Sequence, residues 1–212
     1  WMAPADFAQI APWYYRLDLW SDQPTRPIVL VEKDGQIPVY RDHAERFGVD
    51  VWACKGYASS SHLRLLALSI KEYLAAGQSV KVLVGADFDP SGCDWPRAAE
   101  AEIRHQLGLS NSDPALVFER ELVTFLDVLE LGAAVALRAA NPNDSRTNAW
   151  LQEYGFDALQ EVVVEMDAIS PAVARQRMER HFKQLYPDDF DEALERQQQH
   201  RDEIEKALAG LV

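Results

Sequence analysis

Residues Val80–Trp95 read VKVLVGADFDPSGCDW. An apolar run, Val80, Val82, Leu83 and Val84, ends in two carboxylates one residue apart, Asp87 and Asp89, and Pro90 and Gly92 then interrupt the strand ahead of an Ala-, Glu- and Arg-rich helical stretch. The pattern predicts a buried strand with acids at its C-terminal end. In open α/β sheets ligands bind there, because the strand ends and the loops after them border a crevice. Carboxylates this close repel one another unless a cation lies between them. Hard oxygen donors without a nearby His or Cys cluster favour Mg2+, or Mn2+, over zinc.

Two further runs repeat the design. Pro27–Gly35, PIVLVEKDG, is an apolar strand ending in an acid, Glu32; Val49–Ser61, VDVWACKGYASSS, is another short run that opens into a Gly- and Ser-rich loop. Helix-compatible segments follow each, Gln36–Phe47 ended by Gly48, His62–Ala75 ended by Gly77, and Trp95–Leu107. The series is βαβαβα, with carboxylates at two of its strand ends. In the second loop a cation, a glycine and hydroxyls at a helix start suit a phosphate, which makes Lys55 and Ser59 candidates for substrate contact. The same serines also suit an ordinary helix N-cap.

The order of a strand ending in Glu, a strand ending in a Gly-rich loop and a strand ending in DxD-P-x-G resembles the Toprim domain, over roughly Arg26–Leu107. That domain is shared by type IA and type II topoisomerases, bacterial primases, OLD-family nucleases and the A subunit of topoisomerase VI. DFDPSG and KGYAS are most similar to the topoisomerase VI A-type and nuclease-like branches, and Asn143–Pro171 resembles, more weakly, the segment that follows Toprim in the former. The resemblance implies a Rossmann-like parallel sheet flanked by helices and Mg2+-dependent phosphoryl transfer on nucleic acid, most naturally DNA cleavage. It implies that Asp87 and Asp89 hold the metal and that Glu32 is the general acid/base or a further metal ligand. Two alternatives follow from the same resemblance: a subunit of a topoisomerase VI-like DNA-break complex, and a non-catalytic binding module of a defence or repair complex.

The 212 residues carry 21 Lys and Arg against 34 Asp and Glu, a formal charge of −13. Phosphate binding is normally driven by basic side chains that release counterions, so this balance runs against broad contact with nucleic acid. Either the contact is confined to a small basic patch, or a protein partner or an upstream DNA-binding domain supplies it. No apolar run approaches the roughly 18 residues that span a bilayer, and no basic-then-apolar leader is present, so a cytoplasmic protein without membrane contact is expected. Cys54 and Cys93 have no metal-binding or disulfide spacing. The sequence leaves the oligomeric state open.

Outside the Toprim-like span, taken as residues 26–132, an aromatic and proline-rich arm over residues 1–25 is expected to pack its aromatics on the sheet. Tyr14 and Tyr15 lie too close before Glu32 to match the nucleophile of topoisomerase VI, which sits in a separate upstream domain. Leu116–Thr124 reads as a strand in which Arg120 either faces the crevice as a phosphate ligand or pairs with Glu119 or Glu121. Lys33 either neutralises the acidic cluster or touches phosphate. Residues 133–212 form a C-terminal extension: a helix over Arg146–Tyr154 with Arg146 a further substrate candidate, a strand over Val162–Ile169, a helix from Pro171 to about Leu185, and an acidic helix or arm over Asp188–Leu208. Alternation along Val162–Ile169 puts Glu165 and Asp167 on one face, with Glu165 the additional acidic candidate.

Overall fold

The computed structural model describes residues 3–54, 60–131, 137–186 and 189–209. Its centre is set by strands too apolar to face water on either side. In β1 (Thr25–Val31) Ile28 and Leu30 enter one buried cluster while Val29 and Val31 enter another; in β3 (Ser79–Gly85) Val80, Val82 and Val84 join the first and Leu83 the second. A strand buried on both faces belongs inside a parallel sheet covered by helices. With β2 (Asp50–Ala53) and β4 (Leu116–Arg120) these strands form a four-stranded sheet of order β2-β1-β3-β4, every neighbouring pair parallel.

Helices α3 (Ser60–Ala75) and α4 (Pro90–Leu107) cover one face through Leu66, Ile70, Trp95 and Ile103. The other face is covered by α2 (Ile37–Ala44), which brings Tyr40 and Ala44, and by α7 (Pro171–Leu185), which brings Met178 and Phe182. From β1 the chain passes through α2 outward to β2, and from β3 it passes through α4 outward to β4. The winding therefore changes direction between β1 and β3, and their C-terminal ends flank the crevice that such a reversal opens. The chain is α/β, a four-stranded parallel sheet flanked by helices, as the apolar runs implied.

Several boundaries differ from the sequence-based expectation. Helix α4 begins at Pro90, ahead of Trp95, because Asp89 caps it and proline suits a first helical position. Strand β4 ends at Arg120; Leu122 and Val123 turn inward and are fully buried. The remaining helices are α1 (Pro4–Tyr14), α5 (Phe125–Leu131), α6 (Thr147–Tyr154) and α8 (Phe190–Ala209). Helix α1 lies against α8 and not on the sheet, with the Tyr15 hydroxyl 2.8 Å from His200 Nδ1. Trp13 and Tyr14 are exposed, whereas Trp20 is buried beside Tyr186 and Phe190 and donates from its indole to the Phe47 carbonyl at 2.7 Å. Of the expected 162–169 strand, Val162 and Val163 lie in β6 (Glu161–Val163), which pairs antiparallel with β5 (Arg138–Ala139), Val164 bridges Phe88, and a 3-10 turn occupies Met166–Ala168. That turn breaks the alternation, so Glu165 and Asp167 do not share a strand face.

Candidate active site

The register that pairs Val31 with Gly85 continues one step, with Glu32 N–H donating to the Gly85 carbonyl at 2.9 Å. Glu32 and Asp87 therefore leave adjacent strands side by side. Glu32 Oε2 accepts from the Asp87 N–H at 3.4 Å; Asp87 accepts on Oδ2 from Lys33 Nζ at 2.9 Å and on Oδ1 from the Met166 N–H at 2.8 Å. Burial first, and then the charge of Asp87, push Glu32 above the usual carboxylate range, against the pull of the Asp87 N–H, Lys33 and the Trp95 indole. The buried Trp95 Nε1 has no hydrogen bond of regular geometry among the described residues. Lys33 is raised, chiefly by its hydrogen bond to Asp87, with Glu32 and Asp167 adding their charges.

Between the two acids of the DxD, Phe88 is fully buried and anchors the loop. Its ring lies 4.9 Å from Tyr154 and 5.2 Å from Trp150, and its backbone exchanges hydrogen bonds with Val164 at 2.7 and 3.2 Å. Asp89 turns the other way: its Oδ1 accepts from the Gly92 N–H at 2.5 Å and caps α4. Gly92 is required by close approach. A Cβ there would stand 2.1 Å from the Asp87 carbonyl oxygen, a backbone atom that cannot swing aside. The DxD loop and the first turn of α4 are thus pressed together, and only glycine fits between them.

Arg120 holds the assembly from β4. One guanidinium nitrogen donates to the carbonyls of Ala86, Asp87 and Val123 at 2.9, 3.2 and 3.3 Å, and the other donates to the Gly92 carbonyl. That last acceptor has a reason to be free. Pro96 lies inside α4 and has no N–H to give the carbonyl four residues back, which is Gly92. Arg120 takes neither expected role: it spans the loop backbone, with no ion pair to Glu119 or Glu121 among the described residues.

Of the other candidates, Lys55 and Ser59 lie outside the described residues. Arg146 is engaged by Asp144, through bonds of 2.7 and 2.8 Å, and lies 3.7 Å from Asp94 Oδ2. The Glu165 carboxylate is taken by Arg138, so it is Asp167 whose charge acts on Lys33 and on Tyr40. Burial, reinforced by Asp167, pushes Tyr40 up to about 12. Asp167 was legible only as an acid two positions from the favoured one; its place depends on the 3-10 turn. Arg120 and the Met166 N–H give no sequence signal as positioning groups, since Arg120 acts on loop backbone and Met166 on the Asp87 carboxylate, each distant in the chain.

Glu32, Asp87 and the free oxygen of Asp89 are hard donors suited to Mg2+, and the raised Glu32 is what a cation between these acids would relieve. Among the described residues, however, their ligand atoms are not gathered as a set within 4.8 Å, and the Lys33 ammonium supplies the positive charge at Asp87. The donor set fits the ion; holding it requires Lys33, whose side chain is half-exposed, to move off Asp87. No protein-family model, curated protein or solved structure matches this chain.

Proposed function

We propose that the protein is a Toprim-type phosphotransfer domain that cleaves phosphodiester bonds in nucleic acid, with DNA the expected substrate. The supporting observation is the pairing of Glu32 with Asp87 at the C-terminal ends of β1 and β3, where the winding of the sheet reverses. Asp87 and Asp89 would hold Mg2+, with Glu32 at its edge, and the bound ion would polarise a phosphate oxygen and lower the pKa of a water. Glu32 binds a proton more readily than an ordinary carboxyl and acts at the bridging oxygen. As the water oxygen bonds to phosphorus, its proton passing to solvent, and the bond to the sugar oxygen breaks, Glu32 delivers a proton to that leaving oxygen and is left as the carboxylate. Lys33, on the exposed side of Asp87, turns toward the phosphate. Arg120 and Gly92 fix the loop that aims Asp87.

Supercoiled plasmid incubated with the protein and Mg2+ or Mn2+ tests this reading. Nicking or linearisation is expected, with loss on adding EDTA and in Asp87→Ala and Glu32→Gln proteins whose circular dichroism is unchanged. Metal-dependent cleavage that persists in Asp87→Ala would sink the assignment. The ammonium of Lys33 on Asp87 favours a second reading, a Toprim-shaped module that binds nucleic acid or a partner without turnover, or that awaits the tyrosine-bearing domain of a topoisomerase VI-like complex. Saturable Mg2+ binding by calorimetry with an intact plasmid is the outcome that selects it.

A further inference from the structure

A separate cluster lies on the opposite face of β4. Phe118 packs with the α3/α4 side and Arg120 reaches Gly92 in α4, so alternation sends Glu119, and Glu121 just beyond the strand, toward α7. There they meet His181. One carboxylate oxygen from each glutamate and one ring nitrogen of His181 lie within 4.8 Å of one another. Two half-buried carboxylates beside a buried histidine call for compensation, and here it is incomplete. Lys81 Nζ pairs with Glu119 Oε2 at 2.7 Å, and Arg177, whose main partner is Asp127, feels the charge of Glu121. His181 is 5% exposed, and its Nε2, shut off from solvent, has no hydrogen-bond partner among the described residues. A buried polar atom with no partner is uncommon in folded proteins and calls for an unseen one.

We propose that Glu119, Glu121 and His181 form a divalent transition-metal site, with Zn2+ as its expected occupant, that ties the end of β4 to α7. One imidazole nitrogen with two carboxylates is a borderline donor set, which prefers zinc to magnesium, and three protein ligands leave the fourth tetrahedral position to water. Ligands about 2.0–2.2 Å from zinc stand about 3.4 Å apart, so the observed set closes by rotamer adjustment of its two glutamates. Burial, aided by Lys81, pushes His181 down to about 4, which keeps its lone pair available at neutral pH. The site is independent of the acids at β1 and β3. It fixes the strand end from which Arg120 reaches across to the DxD loop.

The test is zinc calorimetry in excess Mg2+, in an Asp87→Asn background that disables the other acidic site, with 15N detection of the histidine rings. One equivalent of zinc is expected, with a shift of the His181 ring nitrogens on binding. His181→Gln and, as a milder change at a half-buried position, Glu121→Gln should each weaken binding at least tenfold while leaving the circular dichroism unchanged. Absence of saturable zinc binding in the Asp87→Asn protein would overturn the proposal, as would affinities within twofold of the parent in Glu121→Gln and His181→Gln. Unfolding of His181→Gln leaves the Glu121→Gln result and the ring shift to decide.

Discussion

Replacing Arg120 with Met keeps an unbranched apolar stem and removes the donors, and the consequence can be worked from the four carbonyls it serves. A hydrogen bond from a charged group contributes about 1.5–3 kcal/mol net. The three bonds on one nitrogen share a donor, so the guanidinium counts as roughly two such bonds, about 3–6 kcal/mol in all. For a chain of this size that lowers Tm by about 6–24 °C at about 2–4 °C per kcal/mol. The specific claim is that the Gly92 carbonyl accepts from Arg120 because Pro96 cannot donate to it. Pro96→Ala restores the backbone donor, so the loss caused by Arg120→Met should be smaller in that background by about 1 kcal/mol, the net value of one amide hydrogen bond. Urea unfolding of the four proteins of the cycle measures it. Additivity within about 0.3–0.5 kcal/mol would show that Arg120 and Pro96 do not share the carbonyl, and the account of the clamp would fail.

Gly92→Ala forces a methyl against the Asp87 carbonyl and loosens the Asp89 cap; a loss of about 2–4 kcal/mol in urea unfolding is expected, from overpacking and a lost cap together, and an unchanged midpoint would refute the close approach. Asp127 is fully buried, and although burial alone would raise it, Arg177 and Thr124 hold it below the usual carboxylate range. Its contribution is therefore present above an unfolded pKa of about 3.9 and lost as pH falls through the folded value; Asp127→Ala should cost about 3–5 kcal/mol at neutral pH, with the gap to wild type narrowing below about pH 4. Glu32 has the opposite sign: raised in the folded state, its ionised form opposes folding as pH rises through the folded value. Glu32→Gln should thus raise Tm at pH 8, with the gain fading below about pH 4.3, and a lower Tm at pH 8 would contradict the burial of that charge. The Glu32→Gln gain should also shrink on adding Mg2+, which compensates the wild-type carboxylate alone.

What the sequence made legible was local. The apolar runs through Val29–Val31 and Val82–Val84 announce strands buried on both faces, and an acid placed just after each run puts Glu32 and Asp87 at strand ends whatever the details of packing. Helix starts are less legible. Trp95 looks like the first helical residue because Pro90, Ser91 and Gly92 resemble a loop, yet a capping Asp89 and proline at the first position begin the helix earlier. The groups that complete the site were not legible, since each acts across long stretches of chain. Arg120 reaches backbone 33 and 34 residues away, and Met166 meets Asp87 over a separation of 79 residues through a main-chain N–H that every non-proline residue carries. Asp167, and not Glu165, joins the charges around Lys33 because a 3-10 turn replaces the end of a strand, a change that alternation cannot anticipate.

The bond from Met166 to Asp87 also sets an order of events at the ribosome. Synthesis proceeds at about 5–20 residues per second, so the 79 residues that separate the two partners take about 4–16 s to add. During that interval β1 and β3 are available to pair, but one oxygen of Asp87 lacks its donor and Phe88 lacks the strand-like bridge to Val164. The acidic loop therefore takes its final shape late, after the helices on the α3/α4 side are already complete, and a nascent chain carries its paired acids unfinished until the C-terminal half has emerged.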